Sequence, residues 1–502
     1  MFFSRLSVVS LLPILAQADP SKSTEKACKE ISKALPDRVD FPLSISYASE
    51  SHEYWSTVLR DIKPACVVVP ESAEDVSCAV KILNKYPDVH FTAKSGGHDP
   101  NPGHATVKDG VLISFSEMVG ATYDKSKNLA YVKPGGEWND VISDLYEDGV
   151  TIVGGRLGLV GVGGFLLQGG ISFLSSQYGL AADNVVGWEL VAANGTILDI
   201  NAQDHPDLAV ALRGSGSQFG IVTQYTVKAY PMGKVWGGLR IYTADKADAI
   251  FKALHEFVPY NNKEEKAAII LSDLVTVESI KAYIVFYFYQ GEKPLTTGPF
   301  ADFLGIDSLI DATGTKTYPE LLKGNGIGAS LLNSRISFRT TTIPYFPANP
   351  NVYAQISDKL KNITKEYFEN PLNLLSQCSV DFQPFAGAIG KHSEERGGNA
   401  MGLRKGDPDR VLLELQCGWT DKQHDEIMPQ FSRDLTDWIE SKVPEWQGQE
   451  ESSDTYLPLF MNDAMADQNV TGSYRDYAKF KALQLEADPE GVLRTRTGGF
   501  KY

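Results

Sequence analysis

The sequence is poor in the residues that most often hold metal ions. Only five cysteines and eight histidines occur among 502 residues. They form no Cys-x-x-Cys pair, no His-Glu-x-x-His helix and no Cys/His cluster, which are the spacings typical of zinc sites. We therefore predict that the protein binds no metal.

Positive charge is also scarce. The chain has 47 Lys and Arg against 63 Asp and Glu, a net charge of -16, and no basic run. This argues against nucleic acid or an anionic membrane as a partner, because both attract clustered cations. The sequence also lacks a Gly-Lys-Ser/Thr phosphate loop and a Gly-x-Ser-x-Gly elbow. Neither a P-loop enzyme nor an α/β-hydrolase is therefore indicated.

The apolar stretch at the N-terminus is too short to span a bilayer. It covers residues 6–16 and contains Pro13. Arg5 precedes this stretch and Ala16-Gln17-Ala18 follows it, which is typical of a cleaved secretory signal, with a membrane anchor as the alternative. We predict a signal peptide over residues 1–18, cleavage near Ala18 and a secreted protein.

Two further patterns agree with secretion. Sequons begin at Asn194, Asn362 and Asn469 and predict glycosylation. Five cysteines allow at most two disulfides and leave one thiol over. A bridge from Cys28 to either Cys66 or Cys78 would tie the N-terminal arm to the first domain.

The order of strand and helix patterns divides the rest of the chain. Residues 19–60 read as an arm, and residues 61–232 as short strands alternating with helices, including a hairpin over 185–192 and 196–200. Residues 233–455 contain longer strands between amphipathic helices, which indicates an antiparallel sheet backed by helices. Residues 456–502 form a separate C-terminal segment. We predict an α+β fold.

Two glycine-rich segments stand out. One is Ser95-Gly-Gly-His98, at the end of a predicted strand, and the other covers residues 161–170, GVGGFLLQGG. Backbone without side chains can approach a flat, phosphate-bearing ligand closely. His98 could then be a ligand, a base or an attachment point. A structural loop with a structural histidine is the alternative.

Several motifs together resemble one known family. They are SGGH at 95–98, VGVGG at 160–164 with Gly169-Gly170, YGLAADN at 178–184, FGIVT at 219–223, FMND at 460–463 and GGF at 498–500. In this order they resemble the vanillyl-alcohol-oxidase superfamily and, within it, the fungal berberine-bridge-enzyme-like oxidoreductases. The resemblance covers essentially the whole mature chain. It implies a two-subdomain PCMH-type FAD-binding domain, a substrate domain built on the antiparallel sheet, and a monomer.

The same resemblance assigns residues to the cofactor. It implies a covalent bond from His98 to the 8-methyl carbon of FAD, a pyrophosphate cradle in the two glycine-rich loops, and an adenine and ribose side around Asp183 and Asn184. The FAD-binding set is Lys94, Ser95, Gly96, Gly97, His98, Asp99, Val160, Gly161, Val162, Gly163, Gly164, Gly169, Gly170, Asp183, Asn184, Gly220, Ile221, Val222 and Asn462.

Two positions refine this expectation. Leu157 stands where many relatives carry a cysteine that forms a second link to the flavin, so the resemblance implies a single tether through His98. Val160 stands where a valine leaves room for dioxygen beside the flavin and an isoleucine blocks it. By this analogy the protein is an oxidase and not a dehydrogenase.

The catalytic base does not follow from the motifs. Several relatives have a tyrosine two residues before the position of Asn462, where this chain has Phe460. Alternation along the strands predicted at 379–384 and 411–417 points one set of polar side chains at the flavin. The candidates are Asp381, Gln383, Glu414 and Gln416, and a purely structural role on the strand is the alternative for each.

Three functions fit these observations. The first is a secreted FAD-dependent oxidase that transfers a hydride from a small hydroxylated or phenolic molecule to the flavin and releases peroxide from dioxygen. The alternatives are a secreted carbohydrate oxidase and a flavin-binding protein without catalysis. Residues 283–289, Phe338, Tyr345 and Phe346 give the predicted substrate domain an aromatic character, which favours the first.

Overall fold

The computed structural model describes residues 21–277, 280–329, 333–373, 375–448 and 455–502. The predicted signal peptide lies outside these ranges. Within them, none of the helices is long and apolar enough to cross a membrane.

The N-terminal half, up to residue 232, combines short strands with short helices. Its elements are α1 (Lys22–Ala34), β1 (Val39–Asp40), α2 (Ile45–Glu50), β2 (Cys66–Val68), α3 (Ala73–Leu83), β3 (Phe91–Lys94), β4 (Val111–Ser114), β5 (Ala121–Asp124), β6 (Leu129–Val132), α4 (Trp138–Tyr146), β7 (Val150–Thr151), α5 (Val162–Leu167), α6 (Ser175–Tyr178), β8 (Val185–Val191), β9 (Ile197–Asn201), α7 (Pro206–Ala211), β10 (Ile221–Lys228) and β11 (Tyr230–Pro231).

Two sheets organise this half. The first has the order β1-β2-β4-β3, with β2 and β3 parallel to β4. The second is antiparallel, in the order β5-β6-β10-β8-β9, and includes the predicted hairpin as β8 and β9. Because β3 ends at Lys94, the loop that carries His98 leaves the carboxyl end of a parallel strand, where α/β sheets usually bind ligands.

The second half is built on one large sheet. Its elements are β12 (Val235–Thr243), α8 (Ala247–Tyr260), β13 (Ala267–Thr276), β14 (Lys281–Tyr289), α9 (Pro299–Leu304), β15 (Ile310–Asp311), β16 (Gly314–Lys316), α10 (Tyr318–Ala329), β17 (Arg335–Pro344), α11 (Val352–Glu369), β18 (Gln377–Phe385), α12 (Gly387–Glu395), β19 (Arg410–Trp419) and α13 (Ile427–Gln447). The strand order is β15-β12-β14-β13-β18-β19-β17, with β16 beside β12, and all pairs are antiparallel. The predicted α+β fold is confirmed.

The two faces of this sheet have different neighbours, because successive side chains of a strand point in opposite directions. On β14, Tyr283 and Tyr287 enter a core shared with α8, α11 and α13, whereas Phe286 faces the N-terminal half. Phe346 also lies in the helix-side core, and Tyr345 packs against it. Of the residues that give this domain its aromatic character, Tyr283, Tyr287, Tyr345 and Phe346 therefore face the helices and not the N-terminal half.

Some helices were not predicted because they contain glycine. Residues of the predicted glycine loop form α5, whose Val162, Leu166 and Leu167 are buried. This burial offsets the low helix propensity of its glycines. In α12, a Cβ atom on Gly390 would lie 2.5 Å from the Arg404 carbonyl oxygen, so close packing and not propensity selects that residue.

Two disulfides connect cysteines of the described residues, and Cys78 is free. Cys28 pairs with Cys66, one of the two predicted partners, and so ties α1 to β2. Cys378 pairs with Cys417 across β18 and β19.

The C-terminal segment contains α14 (Tyr477–Ala487) and α15 (Val492–Arg496) and returns to the N-terminal half. Asn101 donates from Nδ2 to the Ala464 carbonyl at 2.9 Å and accepts from the Ala466 N–H at 2.8 Å. Arg496 donates to the carbonyls of Leu83 and Val89. These bonds bring residues 460–463 to the His98 loop.

Candidate active site

A cavity of about 530 Å³ lies where the N-terminal half, the large sheet and the C-terminal segment meet. This volume falls within the range of roughly 300–1,000 Å³ found for small-molecule sites. The predicted FAD-binding residues that line it are Ser95, Gly96, Gly97, His98, Asp99, Val160, Gly161, Gly163, Gly164, Gly220, Ile221, Val222 and Asn462. Leu157 lines it as well.

The two predicted glycine-rich segments touch each other at this cavity. A Cβ atom on Gly96 would lie 2.6 Å from Gly161 Cα, and one on Gly161 would lie 2.5 Å from the Gly96 nitrogen. The Gly163 N–H donates to Ser95 Oγ at 3.0 Å, and that hydroxyl donates to the Pro134 carbonyl at 2.6 Å. Only glycine allows this approach, which exposes peptide backbone to the cavity.

His98 lies on the same wall and is half-buried. Its Nδ1 atom has no hydrogen-bond partner, and burial lowers the pKa of the imidazole to about 4, so the ring is neutral at neutral pH. The ring stacks on Trp55 with a centroid distance of 4.1 Å and an interplanar angle of 14°. A backbone cradle beside a neutral imidazole with a free nitrogen fits a phosphate-bearing flavin, and Ser95, Gly96, Gly161 and Gly163 would hold its pyrophosphate.

Six predicted FAD residues lie behind the lining: Lys94, Val162, Gly169, Gly170, Asp183 and Asn184. Lys94 is buried and forms a 3.2 Å ion pair with Glu50 of the N-terminal arm. Val162 is in the core, and the Gly170 N–H donates to Asn462 Oδ1 at 3.0 Å. Lys94 and Gly170 therefore support residues of the cavity and do not line it.

The side chains of Asp183 and Asn184 form hydrogen bonds within the protein. The Asp183 carboxylate accepts bonds from Ser393 Oγ, Asn399 Nδ2 and the Leu180 N–H. Asn184 donates to the carbonyls of Tyr178 and Leu180. These bonds fix the 178–184 loop, and the contact of both residues with adenine and ribose stays a prediction.

A second part of the cavity lining, formed by β18, β19 and the C-terminal segment, carries carboxyl groups. Asp381 and Gln383 on β18 and Glu414 and Gln416 on β19 all line the cavity, as alternation predicts for each strand. The sequence did not indicate that both strands turn the same face inward, because this depends on the register that pairs Asp381 with Glu414. Asp463 joins them from the C-terminal segment.

Arg156, Gln383 and Asp463 form a chain of hydrogen bonds along this lining. Arg156 Nη2 donates to Gln383 Oε1 at 2.5 Å, and Gln383 Nε2 donates to Asp463 Oδ2 at 3.0 Å. Neither Arg156 nor Asp463 was singled out for the site from the sequence. Arg156 could have been found as a lone cation in a glycine-rich apolar stretch, and Asp463 as the neighbour of Asn462.

The three carboxyl groups of this lining, which we call the acid cluster (Asp381, Glu414 and Asp463), hold protons more tightly than usual. Burial raises the pKa of Asp381 to about 7 and that of Asp463 to about 6, with Asp463 adding to the rise at Asp381. Burial, Asp463 and Asp381 raise the pKa of Glu414 well above its ordinary value. Arg156 opposes the rise at all three sites.

The Gly96–Gly161 contact leads to a stability prediction. We expect Gly96→Ala to lower the free energy of unfolding by about 1–3 kcal/mol, because the new methyl group meets backbone that cannot move aside alone. Gly324→Ala is the matched control, since nothing lies within 4 Å of a Cβ atom there and the residue is in helix α10. Denaturant titration of both variants checks this, and equal midpoints would contradict it.

Comparison with known proteins agrees with this site. A family model described as an FAD binding domain matches residues 64–201. An uncharacterized FAD-linked oxidoreductase of Arthroderma benhamiae is 32% identical over 99% of this chain and 98% of its own length. An FAD-dependent monooxygenase of Penicillium roqueforti is 30% identical over 96% of this chain and 95% of its own.

Solved structures share the fold at lower identity. The berberine-bridge-enzyme-like protein 1 of Physcomitrella patens superposes with a TM-score of 0.73 at 20% identity, covering 93% of this chain and 97% of that one. A variant of Phl p 4, a grass pollen allergen, superposes with a TM-score of 0.74 at 18% identity, covering 95% and 99%. That variant, which has an additional isoleucine-to-valine replacement, is a glucose oxidase, whereas the variant without it is a glucose dehydrogenase. The full-length relatives identify the chain as a member of the FAD-linked oxidoreductases, and its fold is that of the berberine-bridge-enzyme-like structure.

Proposed function

We propose that this FAD-linked oxidoreductase is a secreted oxidase that acts on a small hydroxylated ring compound, uses dioxygen as acceptor and holds FAD covalently through His98. The observation that carries the proposal is the arrangement of the cavity. A neutral imidazole, that of His98, and a carboxyl group with an unpartnered oxygen, Asp381 Oδ1, both line the cavity. When bound, the flavin supplies the redox chemistry, taking two electrons from a substrate carbon and returning them to dioxygen.

Asp381 is the best-placed base. It lies in the middle of β18 with Oδ1 buried and free of hydrogen bonds. Its pKa of about 7 allows it to take a proton from a substrate hydroxyl near neutral pH. Burial and the neighbouring Asp463 and Asp381 raise the pKa of Glu414 well above its ordinary value, which favours the protonated carboxyl group that can donate a hydrogen bond to the same substrate. Arg156 and Gln383 hold Asp463 and limit the repulsion within the acid cluster.

The remaining lining favours an amphipathic substrate. Ile270, Leu274, Ile284 and Phe286 give β13 and β14 an apolar surface, and Phe338 extends it from β17. Gln377, Ser379 and Gln416 give β18 and β19 a polar one. A hydroxylated or phenolic ring matches both surfaces. The polar strip keeps a carbohydrate oxidase as the second candidate, and peroxide release from simple sugars but not from phenols would favour it.

Secretion is supported by surface features. Asn194, Asn362 and Asn469, the three sequon asparagines, are all exposed. The two disulfides suit an oxidising compartment. Use of dioxygen is supported by Val160 on the cavity lining, and by relatives named monooxygenases, since monooxygenation consumes dioxygen.

Intact mass of the denatured protein recovered from culture medium checks secretion and the covalent bond in one measurement. We expect a chain that starts near residue 19, carries glycan removable by glycosidase and retains one FAD through denaturation. The His98→Ala variant should lose the FAD mass, because no cysteine stands at position 157 to provide a second tether. FAD that dissociates from the denatured wild-type protein would exclude the covalent bond.

Replacement of Asp381 tests the base. Because the base acts only when ionised, kcat/KM of the wild-type protein should fall as the pH drops below about 7. Asp381→Asn should lower kcat about a hundredfold or more and remove this acid limb. Glu414→Gln is the matched control on the facing strand and should keep the limb. An unchanged pH profile in Asp381→Asn would assign the base elsewhere.

Replacement of Val160 tests the acceptor. Val160→Ile adds a methyl group to the cavity lining and should slow reoxidation by dioxygen about tenfold or more, roughly 1.4 kcal/mol of barrier. Turnover with a soluble dye acceptor should change little. Stopped-flow measurement of both reoxidation rates checks this, and a parallel loss with the dye would mean general damage to the site.

A further inference from the structure

We propose that Trp55 is the positioning residue for covalent attachment of the flavin, holding the His98 imidazole in a fixed plane on the cavity wall. The inference rests on the covalent bond of the proposed function and adds to it the group that makes the bond possible. Trp55 belongs to the N-terminal arm and lies 43 residues before His98 in sequence, so neither glycine-rich motif contains it.

The stack restricts a ring that is otherwise free to turn. Rotation of an imidazole about its Cβ–Cγ bond is broad and weakly restrained. Here the nearly parallel Trp55 ring, at 4.1 Å and 14°, covers one side of His98. Phe338 approaches His98 at 6.3 Å and Trp55 at 5.0 Å, in both cases tilted by more than 50°. The imidazole plane is thereby fixed by packing.

The orientation of the His98 ring comes from this stacking contact and not from a hydrogen bond. A histidine is usually oriented by a hydrogen bond to one ring nitrogen, often from a neighbouring carboxylate. The adjacent Asp99 uses Oδ2 for His104 Nδ1 at 2.8 Å and Oδ1 for the Asn101 N–H and Nδ2. Among the described residues, no hydrogen bond holds the His98 ring. Orientation therefore depends on the aromatic contact.

Trp55 is itself held from both domains. Its backbone N–H donates to the carbonyl of Gly97, the residue directly before His98, at 3.1 Å. The next residue, Ser56, accepts the Ile336 N–H at 2.9 Å from β17. Gly97 has a positive φ of 66°, and a Cβ atom there would lie 2.9 Å from the Glu53 carbonyl oxygen, so arm and loop are in close contact. The arm thus presents the indole ring at a fixed place.

Formation of the covalent bond requires the His98 ring to be held in a defined position. Attachment would join a ring nitrogen of His98 to the 8-methyl carbon of the bound flavin and break one C–H bond of that methyl group. The proton of that bond and the imidazole N–H proton would leave, and dioxygen would take up the two electrons with two protons and become hydrogen peroxide. A neutral imidazole has the lone pair that this bond requires, and the low pKa of the His98 ring provides it.

Three replacements of Trp55 separate stacking from volume. Trp55→Phe keeps a flat ring, Trp55→Leu keeps apolar volume without a ring, and Trp55→Ala removes both. Trp438→Ala, a partly buried tryptophan on α13 at the far side of the sheet, is the matched control. For each purified protein, total FAD is measured by absorbance, and covalent FAD by intact mass after denaturation, at intervals during aerobic incubation.

We expect wild type, Trp55→Phe and Trp438→Ala to be fully covalent. Trp55→Leu and Trp55→Ala should bind FAD and form the bond about tenfold or more slowly, as misorientation of a reacting group commonly costs. Covalent bonding at the wild-type rate in both would overturn the inference, and so would loss of total FAD in both, since Trp55 would then support binding. Absence of covalent FAD in the wild type would instead overturn the proposed bond itself.

Discussion

The contact between the backbones of Gly96 and Gly161 is the constraint on which the rest of the site depends. Two loops from different parts of the N-terminal half meet there without intervening side chains, and their peptide groups are left facing the cavity. The position of His98 follows from it, because the histidine is two residues beyond Gly96. The N-terminal arm then packs over the same loop and closes it from outside.

In the part of the cavity lined by the acid cluster, the constraint is electrostatic. Burying three carboxyl groups within reach of one another is unfavourable unless some of them stay protonated, and Arg156 compensates for only part of the charge. Burial raises the pKa of all three carboxyl groups, so the acid cluster favours protonated carboxyl groups more than exposed carboxylates do.

Much of the fold and one wall of the site could be predicted from the sequence. Glycine motifs are local, so His98 and the loops around Gly96 and Gly161 were recognisable, and the alternating strands of residues 233–455 indicated the large sheet. Prediction failed where the outcome depends on distant packing. The aromatic residues of β14 alternate between two faces, and nothing local tells which face meets the cavity.

Packing between distant segments also explains why the sequence did not indicate Trp55, Arg156 and Asp463 as residues of the site. Each reaches the cavity from a segment that is remote in sequence from the residue it serves, so no spacing rule links them. Trp55 and His98 meet because the arm is attached to both β17 and the His98 loop. Asp463 meets Gln383 because the C-terminal segment is anchored at Asn101.

The Cys378–Cys417 bridge has a consequence for the acid cluster, although neither cysteine lines the cavity. The two sulfurs can meet only when β18 and β19 are aligned as observed, and the same alignment sets Asp381 opposite Glu414 three residues away. Sliding one strand by a single residue would turn its carboxyl group into the apolar core on the helix side. The disulfide thus fixes the register of β18 and β19 from the helix side of the sheet. It thereby keeps Asp381 and Glu414 on the face that lines the cavity.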